Sequence, residues 1–103
     1  MLREIIMNTY DRFTKETFLS WLSAQDDERV FQLYESKACI FYRFLNENGM
    51  PCLGFGLSRF TIAGGFIRED APDWSINLQT SFNRVTGGNI SVAMIKQYCQ
   101  ENW

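Results

Sequence analysis

The 103-residue sequence contains no histidine. This absence removes Ser-His and Cys-His nucleophile pairs, imidazole general bases and His-based metal sites. An enzyme built on this chain would have to use carboxylates, tyrosine, lysine or a thiol alone. Phosphate-binding glycine motifs of the GxGxxG or GxxxxGK[ST] type are also missing. The carboxylates that could be imagined as a pair or a metal site all fall in predicted loops; they are Asp26, Asp27, Glu69, Asp70 and Asp73. We therefore expect no cofactor and no metal.

Cysteines are few, and long apolar runs are lacking. Cys39, Cys52 and Cys99 are odd in number and have no CxxC or zinc-finger spacing. Reduced thiols in the cytosol fit this pattern best. No run approaches the ~20 apolar residues of a membrane span, and the opening "MLREIIMNTY" is too short and too charged for a secretory signal. The sequence predicts a soluble cytoplasmic protein with no membrane partner.

The chain also lacks an excess of basic charge. Ten Lys and Arg residues face twelve Asp and Glu residues, giving a net charge of -2, and the basic residues are scattered. This charge pattern is far from the basic footprint that drives binding to nucleic-acid backbones, so nucleic acid is not the expected partner. Aromatic residues are plentiful, with nine Phe, four Tyr and three Trp. Residues 1–103 have ample material for one domain and its core, and some aromatic surface is expected in a groove or interface.

Three helices are predicted, at about residues 14–25, 36–48 and 90–101. Thr14 can cap the first, and Phe13 and Phe18 occupy the two positions of a hydrophobic staple. Asn89 or Ser91 can cap the third, whose apolar residues gather on one face.

The second helix covers most of "ESKACIFYRFLNENG", which also has strand propensity. Read as a strand, it would place the charge of Arg43 inside an apolar face, whereas a helix gathers the apolar residues into one arc. Ser36 serves as its N-cap, and Gly49 serves as a left-handed stop before Pro51.

Strands are predicted where apolar and polar residues alternate. "CLGFGLS" alternates with Leu53, Phe55 and Leu57 on one face, and "RFTIAGGFIRE" suits a hairpin that turns at Gly64 and Gly65. "RVFQLY" is either a short strand or irregular. The clearest alternation is "WSINLQTSFNR", which predicts a strand. The expected fold is α+β, with a small antiparallel sheet of about three strands and helices packed on one face.

Cys39 is the one candidate nucleophile. It lies in the first turn of the predicted helix, where free amides and the helix dipole favour a thiolate, near Tyr42, Arg43 and Asn46 on the helical wheel. The alternative is a small buried residue with no chemical role. Cys52 and Cys99 are interpreted as structural.

A polar face is predicted on the strand that begins at Trp74. It is either plain solvent-facing sheet or a contact surface of uncharged donors and acceptors. At a sheet edge it would pair with a partner or a second copy of the chain, because no charged side chain lies between Asp73 and Arg84. Together with two residues of the second helix, the candidate contact residues are Ser75, Asn77, Gln79, Ser81, Asn83, Tyr42 and Arg43.

A single-stranded nucleic-acid-binding module is the first alternative function. Nucleic-acid-binding sheets stack bases on exposed aromatic rings among basic residues. Here Phe60, Phe66 and Phe82 are interleaved with three arginines, Arg59, Arg68 and Arg84. A small thiol-dependent enzyme using Cys39 is the second alternative.

Residues 14–49 carry a family resemblance. "FLSWL" leads through the acidic loop at residues 26–28 and Tyr34 to "CIFYRFL". This order resembles a family of small uncharacterised proteins associated with phages and prophages. The resemblance implies a small cytosolic accessory protein of a phage or mobile element, with a host or phage protein as its partner. Small proteins of that origin often bind and inhibit a host protein complex, including host defence systems. The resemblance brings no catalytic residues with it.

Overall fold

The computed structural model describes residues 10–32, 39–63, 67–82 and 89–103. The described part of the chain combines helices with two small antiparallel sheets, so the predicted α+β class is confirmed. The elements in chain order are α1 (Lys15–Ser23), β1 (Val30–Gln32), α2 (Ile40–Glu47), β2 (Cys52–Phe55), β3 (Arg59–Ile62), β4 (Ile67–Asp70), α3 (Asp73–Phe82), β5 (Asn89–Ser91) and α4 (Val92–Asn102). None of the described helices is long and apolar enough to cross a membrane.

Helix α1 begins where the sequence predicts. The hydroxyl of Thr14 accepts a hydrogen bond from the backbone N–H of Thr17 at 3.2 Å, which satisfies one free amide of the first turn. The rings of Phe13 and Phe18 are both buried and both contact Phe44, at centre distances of 5.9 and 5.2 Å. The N-terminus of α1 is therefore anchored on α2.

Helix α2 confirms the helical interpretation of its segment. Its described start is Ile40, with Cys39 as the N-cap residue and no side-chain capping bond. Ser36, the predicted cap, lies outside the described residues. Gly49 ends the turn with φ 76°, a conformation that glycine adopts without strain. A Cβ at this position would also lie 3.0 Å from the Arg12 guanidinium.

The strand predicted from "WSINLQTSFNR" is wrong, because residues 73–82 form helix α3. Its buried residues are Ser75, Leu78, Gln79 and Phe82, which follow the i, i+3, i+4, i+7 spacing of one helical face. Two of these four are polar, so hydrophobicity alone hid the helical period. The carbonyl of Pro72 accepts from two amides of the first turn, which starts the helix.

The three-stranded sheet has the order β2-β3-β4 and is antiparallel throughout. The predicted hairpin is confirmed in its strands, with Ile62 opposite Ile67, while its turn at Gly64 and Gly65 lies outside the described residues. Strands β1 and β5 form a second sheet in which Phe31 faces Ile90. The beginning of "RVFQLY" is thus a strand, and its last two residues lie outside the description.

The predicted face pattern of β2 is wrong. Leu53 and Leu57 are 41% and 50% exposed, whereas Phe55 is buried. The register with β3 shifts between Cys52 and Gly54, so a bulge turns Leu53 outward.

Helix α4 starts at the predicted cap, where the Ser91 hydroxyl accepts from the amide of Met94 at 3.3 Å. The helices and the sheet meet around a cluster of aromatic rings. The ring centre of Phe18 lies 5.1 Å from that of Phe41 and 5.5 Å from that of Trp74. Much of the aromatic content is therefore core material.

Candidate partner-binding groove

An apolar groove of about 430 Å³ runs between α1 and α4. Its lining residues come from these helices and the residue after α4; they are Leu19, Leu22, Ser23, Lys96, Cys99, Gln100 and Trp103. A volume of this size lies within the range of ordinary ligand and peptide pockets.

The groove follows from the amphipathic pattern of α1. Phe18, Trp21 and Leu22 point into the core, and Leu19 lies beside this stripe with 38% of its surface exposed. Leu22 is buried at the base of the groove, and Leu19 forms one wall. An apolar side chain is left in contact with solvent at a concave place.

The second wall comes from α4 and the residue that follows it. Cys99 is buried at the base, while Trp103 is partly buried. The Trp103 ring packs against Phe18 at 5.9 Å and Trp74 at 5.3 Å between ring centres. Because these neighbours belong to the core, the wall formed by Trp103 is held in place before any partner arrives.

The two helices run antiparallel, and a lysine lies near each end of the groove. The ammonium group of Lys15 stands 5.2 Å from the centre of the Trp103 ring. Lys96, two turns earlier on α4, donates to Asp27 at 2.6 Å and to the carbonyl of Gln25 at 3.3 Å. None of the described residues that line the groove is acidic. The groove is therefore mainly apolar, with the ammonium group of Lys15 near one end and the Lys96–Asp27 ion pair at the other.

The thiol of Cys99 contributes apolar surface rather than chemistry. Burial raises the pKa of Cys99 to about 11, so the thiol stays protonated near neutral pH. The groove thus presents no thiolate, and the described residues contain no group of three metal-ligating side chains.

Cys39 lies away from this groove and is completely buried. Its thiol donates to Oε1 of Gln79 at 3.6 Å. Burial raises the pKa of Cys39, and the amides of Phe41 and Tyr42 offset this rise only in part. Of the two interpretations left open by the sequence, the structure supports the buried small residue, because an inaccessible neutral thiol is a poor nucleophile.

The predicted polar sheet face does not exist, because its residues belong to helix α3. Ser75 and Gln79 are buried, whereas Asn77 and Ser81 are exposed on other sides of the helix. Asn83 lies outside the described residues. A homodimer through an edge strand at this segment loses its structural basis.

The other predicted contact residues lie on α2, and neither lines the groove. Tyr42 is half-buried. Arg43 is exposed, with its Nε 3.9 Å from the Glu47 carboxylate. Tyr42 and Arg43 remain predictions as contact residues.

The aromatic platform expected for nucleic acid is not available on the described strands. Phe60 on β3 is buried, and Phe82 is buried on helix α3 and not on a strand, so neither ring can stack on bases. Arg59 and Arg68 are exposed on β3 and β4. Phe66 and Arg84 lie outside the described residues.

The groove was not predicted from the sequence. The sequence feature that could have indicated it is the pair Cys99 and Trp103 at the end of α4. These two residues are four positions apart and lie beside Lys96 and Gln100. This second set of apolar residues indicates that α4 packs on the core with one face and on α1 with another.

Comparisons with known proteins add no relative. No protein-family model, no curated protein and no solved structure matches the chain.

Proposed function

We propose that this chain is a small protein-binding accessory protein that acts without catalysis, and that the groove between α1 and α4 is its binding surface. The observation that carries the proposal is the position of Leu19, exposed opposite the fixed ring of Trp103 in a preformed apolar groove. Exposed apolar surface at a concave place is typical of protein–protein contact sites.

The occupant we propose is an amphipathic helix of a partner protein. Helices bind such grooves by placing apolar residues at i, i+3, i+4 and i+7 along the floor. Lys15 and Lys96 lie near opposite ends of the groove, and the groove has no acidic lining residue. A partner helix with an acidic residue at the end of its apolar face that meets Lys15 would therefore be complementary in charge, whereas Lys96 is already paired with Asp27.

The partner class we propose is a host protein complex, including a defence system, and the protein would act in the cytosol as an inhibitor encoded by a phage or mobile element. The support is the resemblance of residues 14–49 to phage-type accessory proteins. Three free buried cysteines agree with a reducing compartment.

The experiment is differential capture from host lysate. Wild-type protein, Leu19→Glu and Leu53→Glu are immobilised, and the retained proteins are quantified by mass spectrometry. Leu19 and Leu53 are the same residue type with nearly equal exposure, 38% and 41%, but only Leu19 lines the groove. We expect one partner to be retained by the wild type and by Leu53→Glu and to fall about tenfold or more with Leu19→Glu, because a charge in an apolar contact costs at least 1.4 kcal/mol, or tenfold in Kd.

Thermal unfolding of all three proteins shows whether each variant is folded. If a partner were lost equally with both variants, or retained by both, the groove would not be the binding surface. In the host, expression of the wild type should lower the efficiency of one defence system against infection. Leu19→Glu should not lower it, while Leu53→Glu should behave as the wild type.

A further inference from the structure

We propose that the outer face of the β2-β3-β4 sheet is a binding site for a small organic phosphate. The face contains a concave trough of about 460 Å³ over the β2–β3 hairpin. It is separate from the groove between α1 and α4, since the two have no lining residue in common. The proposal therefore stands independently of the partner-binding function.

The floor of the trough is shaped by glycine. Gly54 lies opposite Thr61 in the β2–β3 ladder and adds no side chain to the floor. Gly56 donates its N–H to the carbonyl of Arg59 at 2.8 Å, and a Cβ on Gly56 would lie 3.3 Å from the same carbonyl. The β2–β3 hairpin therefore turns tightly at Gly56. Because Gly54 and Gly56 have no side chains, a ligand can approach the backbone of β2 closely.

Two arginines share this face. Arg59 is opposite Asp70, and Arg68 is opposite Thr61. The two arginines are therefore diagonal neighbours on adjacent strands and project to the same side. Both line the trough, together with Ser58 and Thr61. This arrangement brings two guanidinium groups and two hydroxyls to one concavity.

The guanidinium group of Arg68 has no charged or hydrogen-bonding partner among the described residues. Arg59 donates from Nε to Asp70 at 3.3 Å, which leaves its other N–H groups available. Arg12, Arg29 and Arg43 are likewise engaged by carbonyl or carboxylate oxygens. Arg68 makes no ion pair or hydrogen bond with any residue in the described ranges. An arginine that lines a polar concavity and is not paired within the described ranges is suited to an anionic ligand.

The chemistry favours a phosphate with an organic part. Guanidinium groups bind phosphate oxygens in pairs of parallel hydrogen bonds, and hydroxyls can complete the set. The trough is larger than an inorganic ion requires. Leu57, half exposed at its rim, offers apolar contact to a ring or short chain. A phosphate monoester of nucleotide size fits both features.

The test is a titration of the labelled full-length protein followed by amide chemical shifts. The probes are adenosine 5′-monophosphate, inorganic phosphate and adenosine. We expect saturable shifts at Gly54, Gly56 and Thr61 with the monophosphate, weaker shifts at the same amides with inorganic phosphate, and none with adenosine. Arg68→Gln should raise the monophosphate Kd about tenfold, as expected for one charge-assisted pair.

Arg43→Gln is the matched control, since Arg43 is an exposed arginine outside the trough, and its Kd should equal that of the wild type. If Arg68→Gln and Arg43→Gln weakened monophosphate binding equally, the effect would come from the overall charge of the protein, and the proposed site would be overturned. Unsaturable shifts, or equal shifts with adenosine, would also overturn it. Tighter binding of a single-stranded oligonucleotide at the same amides would replace the small-molecule assignment with nucleic acid. Partner capture through the groove is unaffected by any of these results.

Discussion

The side chain of Asn46 pairs with both backbone groups of Cys52. Its Nδ2 donates to the Cys52 carbonyl at 3.1 Å, and its Oδ1 accepts from the Cys52 N–H at 3.1 Å. Asn46 therefore imitates a neighbouring strand and closes the open edge of β2 at its first residue. A partner that adds a strand at this end of β2 would have to displace the Asn46 side chain.

Asn46→Ala should lower the free energy of unfolding by about 1–3 kcal/mol, because the backbone groups of buried Cys52 lose both partners. Urea unfolding measures the change. Asn102→Ala is the control on α4, where the amide bonds only the exposed carbonyl of its own helix, and it should change stability by less than about 0.5 kcal/mol. Equal effects of the two substitutions would argue against the edge-closing role.

Gln79 tests the helical register of α3. Its Oε1 accepts from Cys39, and its Nε2 faces the carbonyls of Gly56 and Leu57 at 3.5 Å each. We expect Gln79→Ala to lower the free energy of unfolding by about 2 kcal/mol, since it leaves buried polar groups and a cavity.

Asn77→Ala is the control within the same helix, because Asn77 is exposed, and it should cost less than about 0.5 kcal/mol. A strand would place the two side chains on one face and make the costs similar. Chemical denaturation of both variants distinguishes these cases.

Glu47 should make stability depend on acidic pH. Its carboxylate accepts from Arg29 at 2.7 Å and from Trp21 at 3.2 Å, and the Arg29 bond is the main reason that the pKa of Glu47 is lowered. The folded state thus binds this proton less readily than the unfolded state. The stabilisation is present above the ordinary pKa of 4.5 and is lost as the pH falls through the lowered value.

Glu47→Gln should therefore make the free energy of unfolding depend less on pH in the acidic part of the range, here called the acid limb. Glu28→Gln, in the exposed loop before β1, should leave that limb unchanged. If stability fell with acid in Glu47→Gln as it does in the wild type, the Arg29–Glu47 ion pair would not be the cause of that fall.

The buried thiols should make stability fall on the alkaline side. Burial raises the pKa of Cys52 and of Cys99 from 9.0 to about 11. Between these values the unfolded state loses thiol protons that the folded state keeps, so unfolding becomes easier as the pH rises. We expect a smaller alkaline decrease in Cys99→Ala than in the wild type, measured by denaturant unfolding from pH 8 upward. An unchanged decrease would contradict the burial of this thiol.

Local signals were sufficient for most of the architecture. Thr14, Ser91 and Gly49 mark helix ends by backbone chemistry that acts within one turn, and they do so in the structure as predicted. The β3–β4 hairpin was likewise visible in two short apolar runs around a glycine pair.

The failures occurred where distant contacts decide. Ser75 and Gln79 are polar but buried, because Gln79 reaches Cys39 and the β2–β3 turn from far along the chain. Without knowledge of those contacts, the sequence of α3 shows the apolar–polar alternation that is typical of a strand. The bulge that turns Leu53 outward depends on pairing with β3 in the same way. The groove was missed for a related reason, since only the packing of α1 on α4 brings Leu19 and Trp103 to one concavity.

Photo-cross-linking from the groove tests the central claim most directly. A photoreactive side chain is placed at Gln100, an exposed residue that lines the groove, and in a control protein at Asn77 on α3. We predict that the adduct from position 100 contains one segment of the captured partner, with apolar residues at i, i+3, i+4 and i+7 and an acidic residue at the end that meets Lys15, and that position 77 yields no such adduct. Cross-links from position 100 to a second copy of the chain, or equal labelling of the partner from both positions, would contradict the assignment.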